Sequence, residues 1–248
     1  MHHNFIKLFS LKTCPQIAMY GFDMFLKNKV VKNCTYHIES GFYNSHENLN
    51  QNYNYIIKST LQGDVETFKT VVEEEYKNIL GIISPYLNEK NSTFSMQYKT
   101  LLQLSKSIPI DKLQTNHLVF LPFKASCSDL VITEAFSLLK NLFDTLYGIS
   151  SFQYGKCADL SLDKNYIFEM AFTDCAARDH YLTHDTHIKA AEFIIPLLKN
   201  GKQSIIAFDY YKHKKFLDIQ RNQFFKSATV THTANDPCPL DEGVIYKK

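Results

Sequence analysis

Asn54 to Pro85 aligns with Asn165 to Pro196 without a gap, at a constant offset of 111 residues that sets NYII over NYIF and proline over proline. The likeness extends outward. FIKLFSLK (Phe5 to Lys12) lies over HLVFLPFK (His117 to Lys124), and the helical pattern ETFKTVVEEEYKNILGIISPYL lies over the one that ends near Pro196. A chain that carries one supersecondary pattern twice is expected to fold as two copies of one unit, so this internal duplication constrains the fold more than any other feature.

The second copy has the cleaner pattern. HLVFLPFK is a short β-branched and aromatic run and predicts a strand. The following SCSDLVITEAFSLLKNLFDTLYG offers Ser126 or Ser128 as a cap, with Val131, Ala135, Leu138, Leu142 and Leu146 at helical spacing before Gly148. SSFQYGK (Ser150 to Lys156) and NYIFEMAF predict two more strands. In the latter Tyr166, Phe168, Met170 and Phe172 alternate with Ile167, Glu169 and Ala171; both faces are largely apolar, so a central strand is expected. A short helix over Asp174 to Leu182, a break at THDT, a helix carrying Ile188, Ala191, Ile195 and Leu198, and the strand SIIAFDY complete the order βαββαβ.

A βαββαβ unit is a ferredoxin-like sheet with helices on one face, so its other face must be covered. Two units in one chain can cover each other. The expected fold is α+β, with two ferredoxin-like units packed sheet to sheet as an intramolecular dimeric α/β barrel, and Tyr166, Phe168, Met170 and Phe172 are read as barrel core. Residues 1–100 form the first domain, 101–115 a linker containing Pro109, 116–210 the second domain, and 211–248 an extension outside both repeats.

The formal charge of +2 is too balanced for a chain whose main task is binding phosphate backbones, so nucleic acid is not expected as a partner. No apolar run approaches a membrane span, and MHHNFIKLFSLK places lysines where a signal peptide needs its apolar stretch; a cytoplasmic location without membrane contact is expected. Six scattered cysteines without a C-x-x-C pair read as reduced thiols.

The most specific stretch is DHYLTHDTHIKAAEFIIPLL with the downstream IIAFDY. It resembles the stress-responsive A/B barrel family, the Dabb domain, whose signature is a tyrosine followed by H-P-x-H, a helix ending in a proline-containing apolar stretch, and a last strand closing on Asp-Tyr. The likeness runs from Asn116 to Tyr210 and includes His117 and the Phe123-Lys124 pair. Family members are dimeric α+β barrels, and the plant polyketide cyclases similar to them use the histidine closing the motif and the preceding tyrosine as an acid/base pair. The resemblance therefore implies His187 and Tyr181 as that pair, with His184 and His117 as neighbours. Asp185 replaces the proline between the histidines, and an aspartate there can cap the second helix by accepting from its first free amides. In the first half Thr70, Glu73 and Tyr76 stand where Tyr181, His184 and His187 stand, and Phe5 stands at the place of His117. That half reads as a degenerate Dabb-like domain without its own site.

Histidine titrates near pH 6.5 and can take and return a proton, while a tyrosine held nearby can donate to a developing enolate oxygen. His187, Tyr181, His117 and His184 opening onto an apolar cavity with Tyr166, Phe168 and Phe172 in its wall would suit proton abstraction next to a carbonyl of a small apolar molecule. That implies a lyase, cyclase or isomerase without an organic cofactor. The competing readings are histidines kept for packing in a non-catalytic stress-related structural or assembly protein, and a haem-handling or monooxygenase-type barrel. A metal site from His117 with the H-x-x-H pair His184 and His187 is weak, because i and i+3 across a helix break do not ensure convergence, and no metal is expected. His180 reads as a surface residue. A homodimer of the pseudo-dimeric chain through its outer surfaces stays open.

Overall fold

The computed structural model describes residues 2–11, 35–42, 53–62, 93–107, 114–158 and 164–211, with isolated positions between 77 and 88. The first part contributes strands β1 (His2–Phe9), β2 (Thr35–Phe42), β3 (Tyr55–Gln62) and β4 (Thr93–Ser105). The second contributes β5 (Thr115–Phe123), helix α1 (Asp129–Thr145), β6 (Ile149–Cys157), β7 (Lys164–Phe172), helices α2 (Cys175–Thr183) and α3 (Asp185–Ile194), and β8 (Ile206–Tyr211). Thr70, Glu73, Tyr76, Pro109 and all but the first residue of the C-terminal extension lie outside the described residues.

All eight strands join one antiparallel sheet in the order β2-β3-β1-β4-β6-β7-β5-β8. Numbered within its own half, each group of four reads second, third, first, fourth or its equivalent, the ferredoxin-like order. The two end strands, β2 and β8, approach each other, so the sheet curls nearly into a barrel. The expected pseudo-dimeric α+β barrel is what forms, and its seam is edge to edge, β4 on β6. β4 is longer than the repeat suggests: residues 101–105, read from sequence as the start of a linker, are strand. Leu101 bulges out between Thr100 and Leu102, and across the seam a side chain on Gly155 would meet the Lys99 carbonyl at 2.4 Å, so this crossing requires glycine.

Among the described residues the sheet has two apolar faces and two cores. Ile6, Leu8, Ile56 and Met96 from the first half meet Leu118, Ile167, Ile206 and Phe208 from the second inside the barrel. Outside it, Val119, Phe168, Met170 and Phe172 pack under the helices with Ile132, Phe136, Leu139 and Phe143 of α1. The face of Tyr166, Phe168, Met170 and Phe172 is thus the helix-covered one, and Ile167, Glu169 and Ala171 turn to the barrel interior, the reverse of the sequence reading. With apolar residues on both faces of β7, alternation alone could not choose between them. The buried stripe of α1 is likewise rotated: Ala135, Leu142 and Leu146 are on it as expected, but Ile132 and the rings of Phe136 and Phe143 take the centre while Leu138 is only half-buried. Ser128 is the cap, accepting from the Val131 amide at 3.3 Å. Pro122 sits inside β5 without disrupting it because β8 pairs only as far as Phe120.

Candidate functional site

Strand alternation turns His117, Val119 and Leu121 of β5 toward the helices, while Leu118 faces the barrel interior. In the β5–β8 register His117 lies opposite Asp209, and the His117 Nδ1–H donates to Asp209 Oδ1. The other carboxylate oxygen accepts from the guanidinium of Arg178 on α2. Arg178 Nε donates in turn to Asp179 at 2.6 Å. His117, Asp209 and Arg178 are each 2% exposed or less, and a charge that deep is tolerated only when paired, so the carboxylate stabilises a donor on either side. Burial works against the Arg178 charge, but Asp209 and Asp179 outweigh it and hold its pKa above the ordinary value.

The helix break builds the second wall. His184 closes α2, its amide donating to the Tyr181 carbonyl at 3.2 Å, and opens α3, its Nδ1 accepting from the Thr186 amide at 3.2 Å. The expected cap, Asp185, is instead the first residue of α3, exposed, because the extended backbone a cap needs (φ −73°, ψ 135°) falls on His184. A continuous helix would put Tyr181 and His187, six residues apart, on different faces. The kink brings their ring centroids to 4.4 Å. His187 Nδ1 lies 3.1 Å from the Leu182 carbonyl, which can only accept, so Nδ1 carries the proton and Nε2 is left as an acceptor. Burial, reinforced by repulsion from His117 and opposed by the Leu182 hydrogen bond, lowers the His187 pKa to about 4, so the ring is neutral at pH 7.

His117 and His187 share the wall of a cavity of about 170 Å³ between the sheet and α1 and α3. Phe168, Leu139 and Ile194 supply apolar wall, Lys202 stands at its edge, and every lining residue falls between 117 and 207. An apolar protein cavity of about 150 Å³ holds benzene, so the space suits one ring or a short chain.

Of the residues singled out in the sequence, His117, His187 and Phe168 line the cavity. Tyr181 is fully buried and off the wall, its ring against Phe172 at 5.2 Å and His117 at 5.7 Å between centroids. Phe172 therefore backs the tyrosine, Tyr166 packs among Phe123 and Phe136, and His184 is spent on the helix cap; none of the three lines the cavity. Among the described residues no group of three His, Cys, Asp or Glu side chains is placed to hold a metal, and no helix is long and apolar enough to cross a membrane. His180 is exposed, as expected. Sequence reasoning gave no role to Arg178 or Asp209. The available signal was the Asp-Tyr ending of the last strand, since Asp209 falls opposite His117 once β5 and β8 are paired.

Comparison with known proteins matches this architecture. An anthrone oxidase-like protein is 13% identical, with a TM-score of 0.59 over 85% of this chain and 91% of its own. A monooxygenase-like protein from Fusobacterium nucleatum is 8% identical, with a TM-score of 0.61 over 86% and 93%. A dimeric ferredoxin-like protein of unknown function from Jannaschia sp. CCS1 is 31% identical over 39% of this chain and 96% of its own, with a TM-score of 0.35. No curated protein matches the chain. Residues 115–212 match the model of the stress responsive A/B barrel domain, and that stretch, which contains the whole cavity wall, is a domain of this family.

Proposed function

We propose that the second half binds a small, mainly apolar carbonyl compound in the cavity under α1 and α3 and moves a proton on it, as a cyclase or isomerase would. The observation that carries this reading is the pairing, on one apolar wall, of two histidines with different hydrogen-bond partners. His187 is neutral, with Nδ1 tied to the Leu182 carbonyl and Nε2 left to accept. It suits the general base, taking a proton from the carbon next to the carbonyl. His117 has its Nδ1–H fixed by Asp209, which favours the charged ring; its other nitrogen can then donate to the oxygen on which negative charge develops. One histidine beside a carbonyl and one beside a carboxylate are suited to divide the base and acid roles between them. Tyr181, wedged between both rings, is a positioning residue here. The chemistry needs no metal or organic cofactor. The chain is proposed to act in the cytoplasm.

The test is deuterium exchange. One-ring aryl ketones are incubated with the protein in D2O and loss of the C–H signal beside the carbonyl is followed by NMR. The expected result is exchange above the buffer rate that falls about 100-fold or more in His187→Gln, the usual range for a lost acid/base group, with melting nearly unchanged. Ala191→Leu, which fills the cavity wall, should abolish retention of the same compounds in native mass spectrometry. Exchange that is equal in wild type and His187→Gln would remove the catalytic reading. Retention unaffected by Ala191→Leu would remove the cavity itself.

A further inference from the structure

Inside the barrel, on the sheet face away from the cavity, Lys58 of β3 forms an ion pair with Glu169 of β7, and both are 6% exposed. Glu169 also accepts from Gln153 Nε2 at 2.5 Å and from the Tyr210 hydroxyl at 2.9 Å. The two ends of the pair are separated by 111 residues, the offset at which the halves align. Their registers agree: Lys58 lies opposite Ile6 in β1 and Glu169 opposite Leu118 in β5, and both of those neighbours belong to the shared interior core. Equivalent positions that touch across an interface mark the pseudo-twofold axis relating the halves.

A residue on such an axis meets its own counterpart, so in a symmetric pair of identical units it would meet itself. A second half packed this way on a copy of itself would bury Glu169 against Glu169, and a first half would bury Lys58 against Lys58. Like charges this deep repel one another without water to screen them, whereas the mixed pair is mutually satisfied. We infer that Lys58 and Glu169 act as a pairing key, making the barrel-forming face of each half accept the other half and reject a second copy of itself. The first half, which lacks the His and Asp pair, is thereby the resident partner of the half that has the site. This inference stands on the ion pair and the register, independently of any ligand.

The experiment uses the full chain with Lys58→Glu, Glu169→Lys and the double exchange. Each single variant buries two like charges, and its melting temperature should fall by about 10 °C or more, the size expected for breaking a buried pair in a domain this large. The double exchange should regain most of that loss. A double exchange no more stable than the singles would overturn the inference. A second measurement separates pairing choice from mere local stability: the two single variants are unfolded, mixed and refolded together. Only a two-chain dimer, in which each first half pairs with the other chain's second half, restores an opposite-charge pair in both barrels. Native mass spectrometry should show a one-to-one heterodimer absent from either variant alone. Failure to form it would overturn the inference even if the double exchange recovers.

Discussion

In the β1–β4 pairing of the first half, Phe5 lies opposite Gln97; in the β5–β8 pairing of the second, His117 lies opposite Asp209. Both are antiparallel strand pairs at matching places in the sheet order, and their side chains differ. Phe5 is half-buried, while His117 and Asp209 are almost wholly buried and tied to Arg178. Among the described residues, a set of buried charges that satisfy one another is built on the second of these pairings, where the proposed site lies. The same contrast recurs inside the barrel with opposite sense: Asn4 accepts from Thr60 and donates to Thr100, at 2.9 and 2.8 Å, whereas at Asn116 the facing residue is Ala171 and the buried Nδ2 has no hydrogen bond among the described residues.

The sharpest way to break this comparison is at the facing pair. Asp209→Ala leaves Arg178 and His117 buried without their carboxylate and is expected to cost about 3–5 kcal/mol. Gln97→Ala, at the matching place, should stay within about 1 kcal/mol. Urea unfolding of both variants checks the difference, and equal losses would mean that the network contributes no more than an ordinary polar residue.

Next in size is a pH effect confined to the second half. The folded pKa of His187 is about 4, below the unfolded value near 6.5, so between these values the unfolded chain binds more protons than the folded one. The contribution is fully present above about pH 6.5 and is lost as pH falls toward about 4, by up to about 3 kcal/mol. Stability measured from pH 7 to pH 4 should fall less steeply in His187→Gln than in wild type. Parallel curves would show that His187 does not titrate in this range.

The smallest expected difference lies at the two asparagines. Asn4→Leu strands two threonine hydroxyls and should cost about 1–2 kcal/mol. Asn116→Leu removes a group already short of a partner and should be close to neutral or slightly stabilising. Thermal melts of the two variants decide it, and a reversed order would show that Asn116 has a role the described contacts do not contain.

The second half was legible in sequence because its patterns are local. The run of β5, the Ser128 cap and the break at THDT each depend on neighbours within a few residues, and each falls where the spacing puts it. β2 and β4 were not found. Phe94, Met96 and Tyr98 alternate with polar residues in β4, but the bulge at Leu101 shifts the phase, and the strand extends to Ser105 because it has β6 to pair with across the seam. The His117 and His187 positions were legible from the motif; their meeting on one wall depends on a kink capped by the histidine rather than the aspartate.

By itself the sequence determined the α+β class and the half that carries histidines at the motif positions, since periodicity and residue type are properties of the chain. Tertiary structure decided which apolar face of β7 became barrel interior, which residue received Asp209, and that Lys58 and Glu169 meet. Each of these is set by strand register and by the pairing of units more than a hundred residues apart, and a buried charge finds its partner only after that pairing has excluded water.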